Sequence, residues 1–144
     1  MIEVRQVASM EQVMQVVPIE VTLKNNKIIN TNAKDFLLFV QDFVLPNPLF
    51  RFWIATDDTN KVVGYLIAFM SPTKIFEMDY VSILRIWTCK RGVIERLESI
   101  LAEWCRENKI TRQQLNMTKD VKAMKAVKRK FKFIPVSVNF ERRI

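Results

Sequence analysis

The stretch TCKRGVIERLESILAEW, residues 88–104, decides the fold because it joins an apolar, strand-like run to a long amphipathic helix. Gly92, one of two glycines in 144 residues, stands where the strand ends and the helix begins, directly after Lys90 and Arg91. Apolar residues then recur at three- and four-residue spacing on one helical face, at Val93, Leu97, Leu101 and Trp104. A glycine beside two cations at a helix N-terminus is typical of a phosphate-binding loop, and it also occurs in a plain turn.

Alternating apolar residues predict six strands around this stretch, at residues 2–8, 49–56, 62–70, 76–87, 111–117 and 134–144. The second and third flank a short turn, DDTN at 57–60, and therefore predict an antiparallel hairpin. The fourth strand, the helix after Gly92 and the fifth strand form a strand–helix–strand unit. Such a unit predicts a parallel crossover connection.

Capping residues followed by apolar stripes predict the helices. Ser9 and Gln12 form a capping box before a short first helix, Asn32 caps a second, and Asp120 caps a basic helix near the C-terminus. The stripe of the second helix consists of Phe36, Phe39, Val40 and Phe43. The prediction is one α/β (α+β) domain over residues 1–144, in the order β-α-α-β-β-β-α-β-α-β. Its mixed, mostly antiparallel sheet of about six strands is flanked by about four helices.

The composition excludes several classes of protein. The chain has no histidine, which excludes a Ser-His-Asp triad, a Cys-His pair and the common histidine-based zinc sites, so no metal site is predicted. Cys89 and Cys105 are too few for a disulfide scaffold and indicate a reduced, cytoplasmic setting. No apolar run approaches the ~20 residues of a membrane span. The N-terminus lacks the pattern of a signal peptide.

The charge of the chain is strongly positive and uneven. The formal net charge is +8, and nine of the 23 Lys and Arg residues lie between Lys119 and Arg143. A basic face of this kind suits a polyanionic partner such as a nucleotide cofactor, a nucleic acid or an acidic protein surface. It is also the ordinary appearance of a solvated helix face.

The order of elements, with a strand–loop–helix at its centre, resembles the GNAT family, the Gcn5-related N-acetyltransferases, over essentially the whole chain. In that family the central strand ends in a loop of the form Arg/Gln-x-x-Gly-x-Gly/Ala, whose backbone amides hold the pyrophosphate of acetyl-CoA. Gly92 stands at the first glycine, Cys89 at the Arg/Gln position and Ile94 at the second small residue. The resemblance implies a GNAT-like acyltransferase that uses acetyl-CoA as co-substrate and acetylates an amine of a small molecule or a protein.

A second motif of the family lies near the C-terminus and has the form Tyr-Glu-Lys-Leu-Gly-Phe. KRKFKF, residues 128–133, stands at this place. Phe133 matches the phenylalanine, Lys132 replaces the glycine and Lys128 replaces the tyrosine. That tyrosine is the family's usual general acid, so the resemblance implies the architecture of a transferase without its usual acid.

The resemblance also implies the site residues. The cofactor would lie along the end of the central strand, the loop and the end of the next strand, at Ile86, Trp87, Thr88, Lys90, Arg91, Gly92, Val93, Ile94 and Asn116. The central strand would be bulged, and a backbone N–H in its region 85–87 would contact the thioester carbonyl. Catalytic candidates are Glu77 and Asp79 as bases, and Tyr80 as an acid or a water-ordering group. The alternative without catalysis is that Glu77 and Asp79 belong to a charged, solvated loop before the strand, and that Tyr80 is an ordinary residue of an amphipathic strand.

Three functions stay open at this point. The first is acetyl transfer from acetyl-CoA to an amine. The second is a catalytically inactive GNAT-like scaffold that binds a partner or has a structural role, which the bulky Ile94 and the missing tyrosine favour. The third is a basic nucleic-acid-binding module around residues 119–132, which shows no aromatic stacking platform. The acceptor, which the resemblance assigns to the first two helices and residues 20–32, and the oligomeric state are not encoded in a motif.

Overall fold

A five-stranded sheet organises the chain in the computed structural model. The residues described are 1–71, 80–115, 129, 132–133 and 142–143. In sheet order the strands are β1 (Glu3–Gln6), β2 (Phe50–Thr56), β3 (Val62–Met70), β4 (Val81–Thr88) and β5 (Gln113–Leu115). Neighbours from β1 to β4 are antiparallel, and β5 pairs parallel with β4. The mixed, mostly antiparallel sheet is therefore confirmed, with five described strands instead of about six.

The central hairpin and the crossover follow the sequence closely. The predicted turn at 57–60 is present, since the N–H of Asn60 donates to the carbonyl of Asp57 at 3.0 Å. The helix after Gly92 connects β4 to the parallel strand β5, as the strand–helix–strand unit predicted. Most of the sixth predicted strand, 134–144, lies outside the described residues. Of the predicted basic helix only Arg129 is described, and it is helical.

The described helices are α1 (Met10–Met14), α2 (Val17–Asn25), α3 (Ala33–Phe39) and α4 (Val93–Glu107). The capping box at the start of α1 is confirmed, because the N–H of Gln12 donates to Ser9 Oγ at 3.4 Å and the N–H of Ser9 donates to Gln12 Oε1 at 3.2 Å. Asn32 caps α3 by accepting the N–H of Asp35 at 2.8 Å. Local capping chemistry thus sets both helix starts.

Two features of the helical layer differ from the sequence prediction. The predicted first helix ends at Met14, and a further helix, α2 (Val17–Asn25), covers residues that the sequence analysis interpreted from position 20 onward as a connector; Pro18 suits the first turn of α2. A π-helical turn, Val40–Val44, continues α3, with the N–H of Leu45 donating to the carbonyl of Val40 at 3.0 Å. The wider turn brings Val44 into the core, and the predicted core residue Phe43 is exposed instead.

The sheet is covered on both faces. On one face, α4 packs its predicted stripe against the strands, and Trp104 meets Trp53 edge to face with ring centroids 5.7 Å apart. On the other face, α1, α3 and the π-helical turn bury Phe36 and Val40 against Phe52 of β2. Full burial of each such large apolar side chain contributes about 1.5–3 kcal/mol. The two layers fix the positions of α2 and of the N-terminus of α4 relative to β4.

The backbone at Lys132 supports the assignment of residues 128–133 to the second family motif. Lys132 has φ of 61°, in the left-handed region that glycine occupies without steric cost. The following residue, Phe133, packs half-buried against the core on the α4 side. Glycine favours this conformation, and the family motif has a glycine at the place of Lys132. In this chain a lysine adopts the conformation that suits a glycine.

Lys132→Gly is expected to raise the free energy of unfolding by about 0.5–1 kcal/mol, because it removes the strain of a side chain in the left-handed region. Urea denaturation of the purified protein measures the change. The matched control is Arg129→Gly, an exposed helical position at which glycine should cost about 1 kcal/mol. If both variants are destabilised, the left-handed backbone at Lys132 is not a source of strain.

Candidate functional site

The loop after β4 turns the chain sharply into α4. The N–H of Cys89 continues the sheet by donating to the carbonyl of Val63 at 3.0 Å, and the N–H of Val93 donates to the carbonyl of Lys90 at 3.4 Å. Gly92 caps α4 with φ of 86°, a left-handed conformation that favours glycine. The left-handed backbone conformation at this position is therefore one reason for the presence of a glycine in a chain with few glycines.

The same loop is open to the outside. A Cβ built on Gly92 would meet no neighbouring heavy atom within 4 Å, and the side chains of Lys90 and Arg91 are exposed. Within the described ranges, no backbone carbonyl accepts the N–H of Lys90, Arg91 or Gly92. These donors precede a helix of 15 residues, whose N-terminus carries a partial positive charge. The arrangement suits an anion such as a phosphate group.

β4 carries a bulge near its middle. The register with β3 shifts between Ile67, which pairs with Arg85, and Ala68, which pairs with Ile83, so Leu84 is the extra residue. Ile83 packs in the core on the α4 side, whereas Arg85 contacts Glu20 of α2 on the opposite face. The bulge thus re-aims the second half of β4. It immediately precedes residues 85–87, the segment from which the resemblance implies a contact to the thioester carbonyl.

A buried polar network connects α2 to this part of β4. Glu20 is 1% exposed, and its Oε1 accepts the hydroxyl of Tyr65 at 2.8 Å and Nε of Arg85 at 3.0 Å. Burial, and next the charge of Glu20, raise the pKa of the Tyr65 hydroxyl, so Tyr65 stays a neutral donor. Glu20 Oε2 is buried and has no hydrogen-bond partner among the described residues. The carboxylate is therefore paired through one oxygen only.

Sequence reasoning missed this network, although a signal for it exists. Glu20 follows Val13 and Val16 and precedes Leu23 at three- and four-residue spacing, and all three of these apolar residues are buried. A carboxylate on a buried helical face needs a partner of opposite charge or hydrogen-bond donors. The partners, Tyr65 and Arg85, lie 45 and 65 residues away, so no local pattern identifies them.

The structure brings one group of predicted site residues together. Eight of the nine predicted cofactor residues lie at the end of β4, in the loop and in the first turn of α4: Ile86, Trp87, Thr88, Lys90, Arg91, Gly92, Val93 and Ile94. Val93 is buried and Ile94 is half-buried. Glu77, Asp79 and Asn116 lie outside the described residues. No structural statement about these three follows.

Tyr80 lies at the other end of β4. It precedes the strand, is half-buried, and its carbonyl accepts the N–H of Ser71 at 3.0 Å. An extended strand places it roughly 25 Å from Thr88, where β4 ends. The structure therefore does not bring Tyr80 to the Gly92 loop, and its catalytic role stays a prediction.

The two surface cavities described next do not coincide with the Gly92 loop. Two surface cavities, of about 260 Å³ and 300 Å³, border β1 and β2, and neither is lined by a residue of the range 86–94. Among the described residues no group of three or more Cys, Asp or Glu side chains is placed to hold a metal ion. In the same residues no helix is long and apolar enough to cross a membrane.

Comparisons with known proteins identify the fold. No protein-family model matches the chain, and no curated protein sequence matches it. The aminoglycoside antibiotic 6'-N-acetyltransferase AAC(6')-Ih from Acinetobacter baumannii superposes with a TM-score of 0.77 at 13% identity, over 100% of this chain and 99% of that one. AAC(6')-Iy, in complex with the bisubstrate analogue CoA-S-monomethyl-acetylneamine, gives 0.75 at 14% identity, over 100% and 99%.

A predicted acetyltransferase from Clostridium acetobutylicum, solved with acetyl-CoA, gives a TM-score of 0.74 at 19% identity, over 99% of this chain and 96% of that one. Likeness at this level of identity establishes the fold and not the activity. The chain has the fold of the GNAT acetyltransferases, as the order of its elements predicted.

Proposed function

We propose that this chain, which has the fold of the GNAT acetyltransferases, binds acetyl-CoA at the Gly92 loop and transfers its acetyl group to an amine. The observation that carries the proposal is the open loop itself. Gly92 adopts a left-handed conformation with free space around it, at the N-terminus of a 15-residue helix and beside two exposed cations. A diphosphate is the type of group that such a loop binds.

Each part of the loop has a proposed task. The backbone N–H groups of 90–94 would hold the pyrophosphate, with that of Val93 exchanging its 3.4 Å hydrogen bond to the carbonyl of Lys90 for a phosphate oxygen. The exposed side chains of Lys90 and Arg91 would add charge-assisted hydrogen bonds. The pantetheine arm would lie along residues 86–88 and reach Asn116. A backbone N–H just after the bulge at Leu84 would stabilise the oxyanion that forms on the thioester carbonyl.

In the proposed transfer, a neutral amine attacks the thioester carbonyl, the C–S bond breaks, and the thiolate takes up a proton. Glu77 and Asp79 remain the proposed bases, and Tyr80 the proposed acid or water-ordering group. Lysine replaces the family's tyrosine at position 128. If Tyr80 acts by ordering water, that water is the proposed proton source for the thiolate. The proposed acceptor is an amine of a small molecule or a protein.

Gly92→Trp is expected to weaken acetyl-CoA binding at least 100-fold, because the indole would fill the space in front of the loop amides. Calorimetric titration with acetyl-CoA measures the dissociation constant. Gly92→Ala is the matched control, since it carries the same backbone strain but little bulk, and it should bind within about tenfold of the unchanged chain. Absence of binding to the unchanged chain at near-millimolar acetyl-CoA would refute the proposal.

A catalytically inactive scaffold is the second candidate. Ile94 is half-buried at the position of a small residue, and Glu95 already places a carboxylate in the first turn of α4. Both features compete with a phosphate for the helix N-terminus. Acetyl-CoA binding without acetylation of any amine would favour this scaffold over the transferase.

A nucleic-acid-binding module is the third candidate. The described residues of the basic C-terminal region, Arg129, Lys132, Arg142 and Arg143, are all exposed. Exposed cations of this kind bind phosphate backbones through counterion release. Binding of duplex DNA or RNA that weakens steeply between about 50 and 200 mM salt would favour this function.

A further inference from the structure

We propose that Arg85 determines acceptor specificity and selects amines that also carry an anionic group, either a carboxylate or a phosphate. Arg85 would act in the acetyl transfer proposed above, so its role rests on that function. Three features of the molecule support this role: the fixed orientation of the guanidinium, its unoccupied donors and its position on β4.

A buried carboxylate, that of Glu20, fixes the orientation of the Arg85 guanidinium. Its Nε donates to Oε1 of Glu20 at 3.0 Å, and Glu20 is 1% exposed. The hydroxyl of Tyr65, itself fully buried, donates to the same oxygen at 2.8 Å. A charged side chain held in this way is pre-organised, so it loses little entropy when it binds a ligand.

The guanidinium keeps donors free. In the described part of the chain, Nε is the nitrogen of Arg85 that makes a hydrogen bond, and Nη1 and Nη2 have no acceptor there. A bidentate pair, which is the frequent geometry between arginine and a carboxylate, would occupy both oxygens of Glu20 and a second nitrogen of Arg85, whereas among the described residues Oε2 has no partner. The side chain of Arg85 is 22% exposed, whereas that of Glu20 is 1% exposed. The Nη end of Arg85 is therefore the part available to a ligand.

Arg85 lies where an acceptor would approach. It directly follows the bulge at Leu84 and faces α2, on the same side of β4 as Trp87. Thr88, the last residue of β4, is three residues farther, about 10 Å along an extended strand. An amine that reaches the end of β4 from the α2 side would therefore meet the guanidinium with another of its groups.

Charge indicates which group that is. The chain carries a formal net charge of +8, and Lys90 and Arg91 are exposed at the same end of β4. This surface repels a polycationic acceptor and attracts an anionic one. The two Nη groups of an arginine match the paired oxygens of a carboxylate or a phosphate. An amine with a carboxylate or a phosphate at its other end would suit both the positive surface and the paired Nη donors of Arg85.

The test compares amines in matched pairs with acetyl-CoA as donor. β-Alanine is compared with β-alaninamide, and O-phosphoethanolamine with ethanolamine, so that the two pairs distinguish a carboxylate from a phosphate; neamine serves as the polycation. Mass spectrometry detects the acetylated products. A thiol reagent that detects released CoA is unsuitable, because it would also react with the exposed thiol of Cys89. Calorimetry of the same amines with the CoA-loaded protein measures affinity without turnover.

The expected result is at least a tenfold preference for the anionic member of one pair, in kcat/KM or in affinity. In Arg85→Gln this preference should fall to near one, chiefly through KM, while acetyl-CoA affinity is unchanged. Arg85→Lys, which keeps the positive charge and loses the planar pair of Nη donors, should retain part of the preference for anionic amines. Arg5→Gln, which removes a charge from an exposed residue on the distant strand β1, is the control and should leave the preference intact.

Two outcomes would overturn the role of Arg85. One is equal or better use or binding of the neutral amines or neamine by the unchanged chain. The other is a preference for anionic amines that survives in Arg85→Gln. If acetyl-CoA binds but either result is found, only the acceptor specificity fails. If acetyl-CoA does not bind, the proposed function fails and the role of Arg85 fails with it.

Discussion

Gly64→Ala is expected to lower the free energy of unfolding by about 3 kcal/mol, because it overpacks the contact between β3 and α4. A Cβ at this position would lie 2.6 Å from Cγ1 of Val93 and 3.1 Å from the carbonyl oxygen of Trp87. The first atom belongs to a fully buried side chain and the second to the backbone of β4, so neither moves freely. Urea denaturation measures the loss.

The change should also weaken acetyl-CoA binding if the proposed function is correct. Val93 is the first residue of α4 and directly follows Gly92, so a Cβ that displaces Val93 also displaces the loop amides. Calorimetric titration of the folded variant with acetyl-CoA measures this second effect. Unchanged affinity in a destabilised variant would separate the packing contact from the loop.

Two variants identify the cause. Val93→Ala removes the nearer obstructing atom, so the double variant Gly64→Ala/Val93→Ala should be more stable than the sum of the two single effects, by about 1 kcal/mol or more. Gly92→Ala provides the contrast, because that site has space and a left-handed backbone and should cost only about 1 kcal/mol. Strictly additive effects of Gly64→Ala and Val93→Ala would contradict the steric explanation.

The comparison of these two glycines shows what the sequence could and could not predict. Gly92 was identified because a glycine between a strand pattern and a helix pattern is a local signal. Gly64 lies inside the apolar run 62–70 and resembles any strand residue. Its requirement comes from Val93, 29 positions away, which packs against it only once α4 has crossed the sheet. Close approach between distant elements leaves no periodic pattern.

The same reasoning explains the other successes and failures. β3 was predicted with its observed bounds, because the apolar run and its flanking turn are local. The π-helical turn was not predicted, since the stripe through Phe39 and Phe43 fits an ordinary helix and only the packing of Val44 reveals the wider turn. The bulge at Leu84 leaves no pattern in the sequence either, because it depends on the pairing of β4 with β3, and only the family resemblance implied a bulged central strand.

At the site, position was easier to predict than chemistry. The family resemblance assigned the candidate cofactor residues 86–94 to the strand–loop–helix junction, whose pattern is continuous in sequence. Glu20 and Arg85, which form the ion pair between α2 and β4, are brought together by tertiary packing over 65 residues. Tyr80 precedes β4, and the length of that strand separates it from the loop, so its catalytic role stays a prediction.

Glu20→Leu is expected to lower the free energy of unfolding by about 3 kcal/mol, because it leaves the guanidinium of Arg85 and the hydroxyl of Tyr65 without their acceptor. The expected loss is at the lower end for a broken buried ion pair, since Arg85 remains 22% exposed and keeps part of its hydration. Urea denaturation measures it, with Glu20→Gln as the closer variant in shape. Glu20→Gln should lose less, because its side-chain carbonyl can still accept the hydroxyl of Tyr65.

The triple variant Glu20→Leu/Tyr65→Phe/Arg85→Met separates stability from specificity. Removing all three polar groups leaves no buried donor or acceptor unpaired in the network, so most of the loss in Glu20→Leu should be recovered, to within about 1–2 kcal/mol of the unchanged chain. If the network served stability alone, this variant would acetylate amines with unchanged preference. We expect it instead to bind acetyl-CoA normally and to lose discrimination between anionic and neutral amines, since the guanidinium that would recognise the anion is gone. A triple variant as unstable as Glu20→Leu would contradict the cost assigned to the unpaired groups.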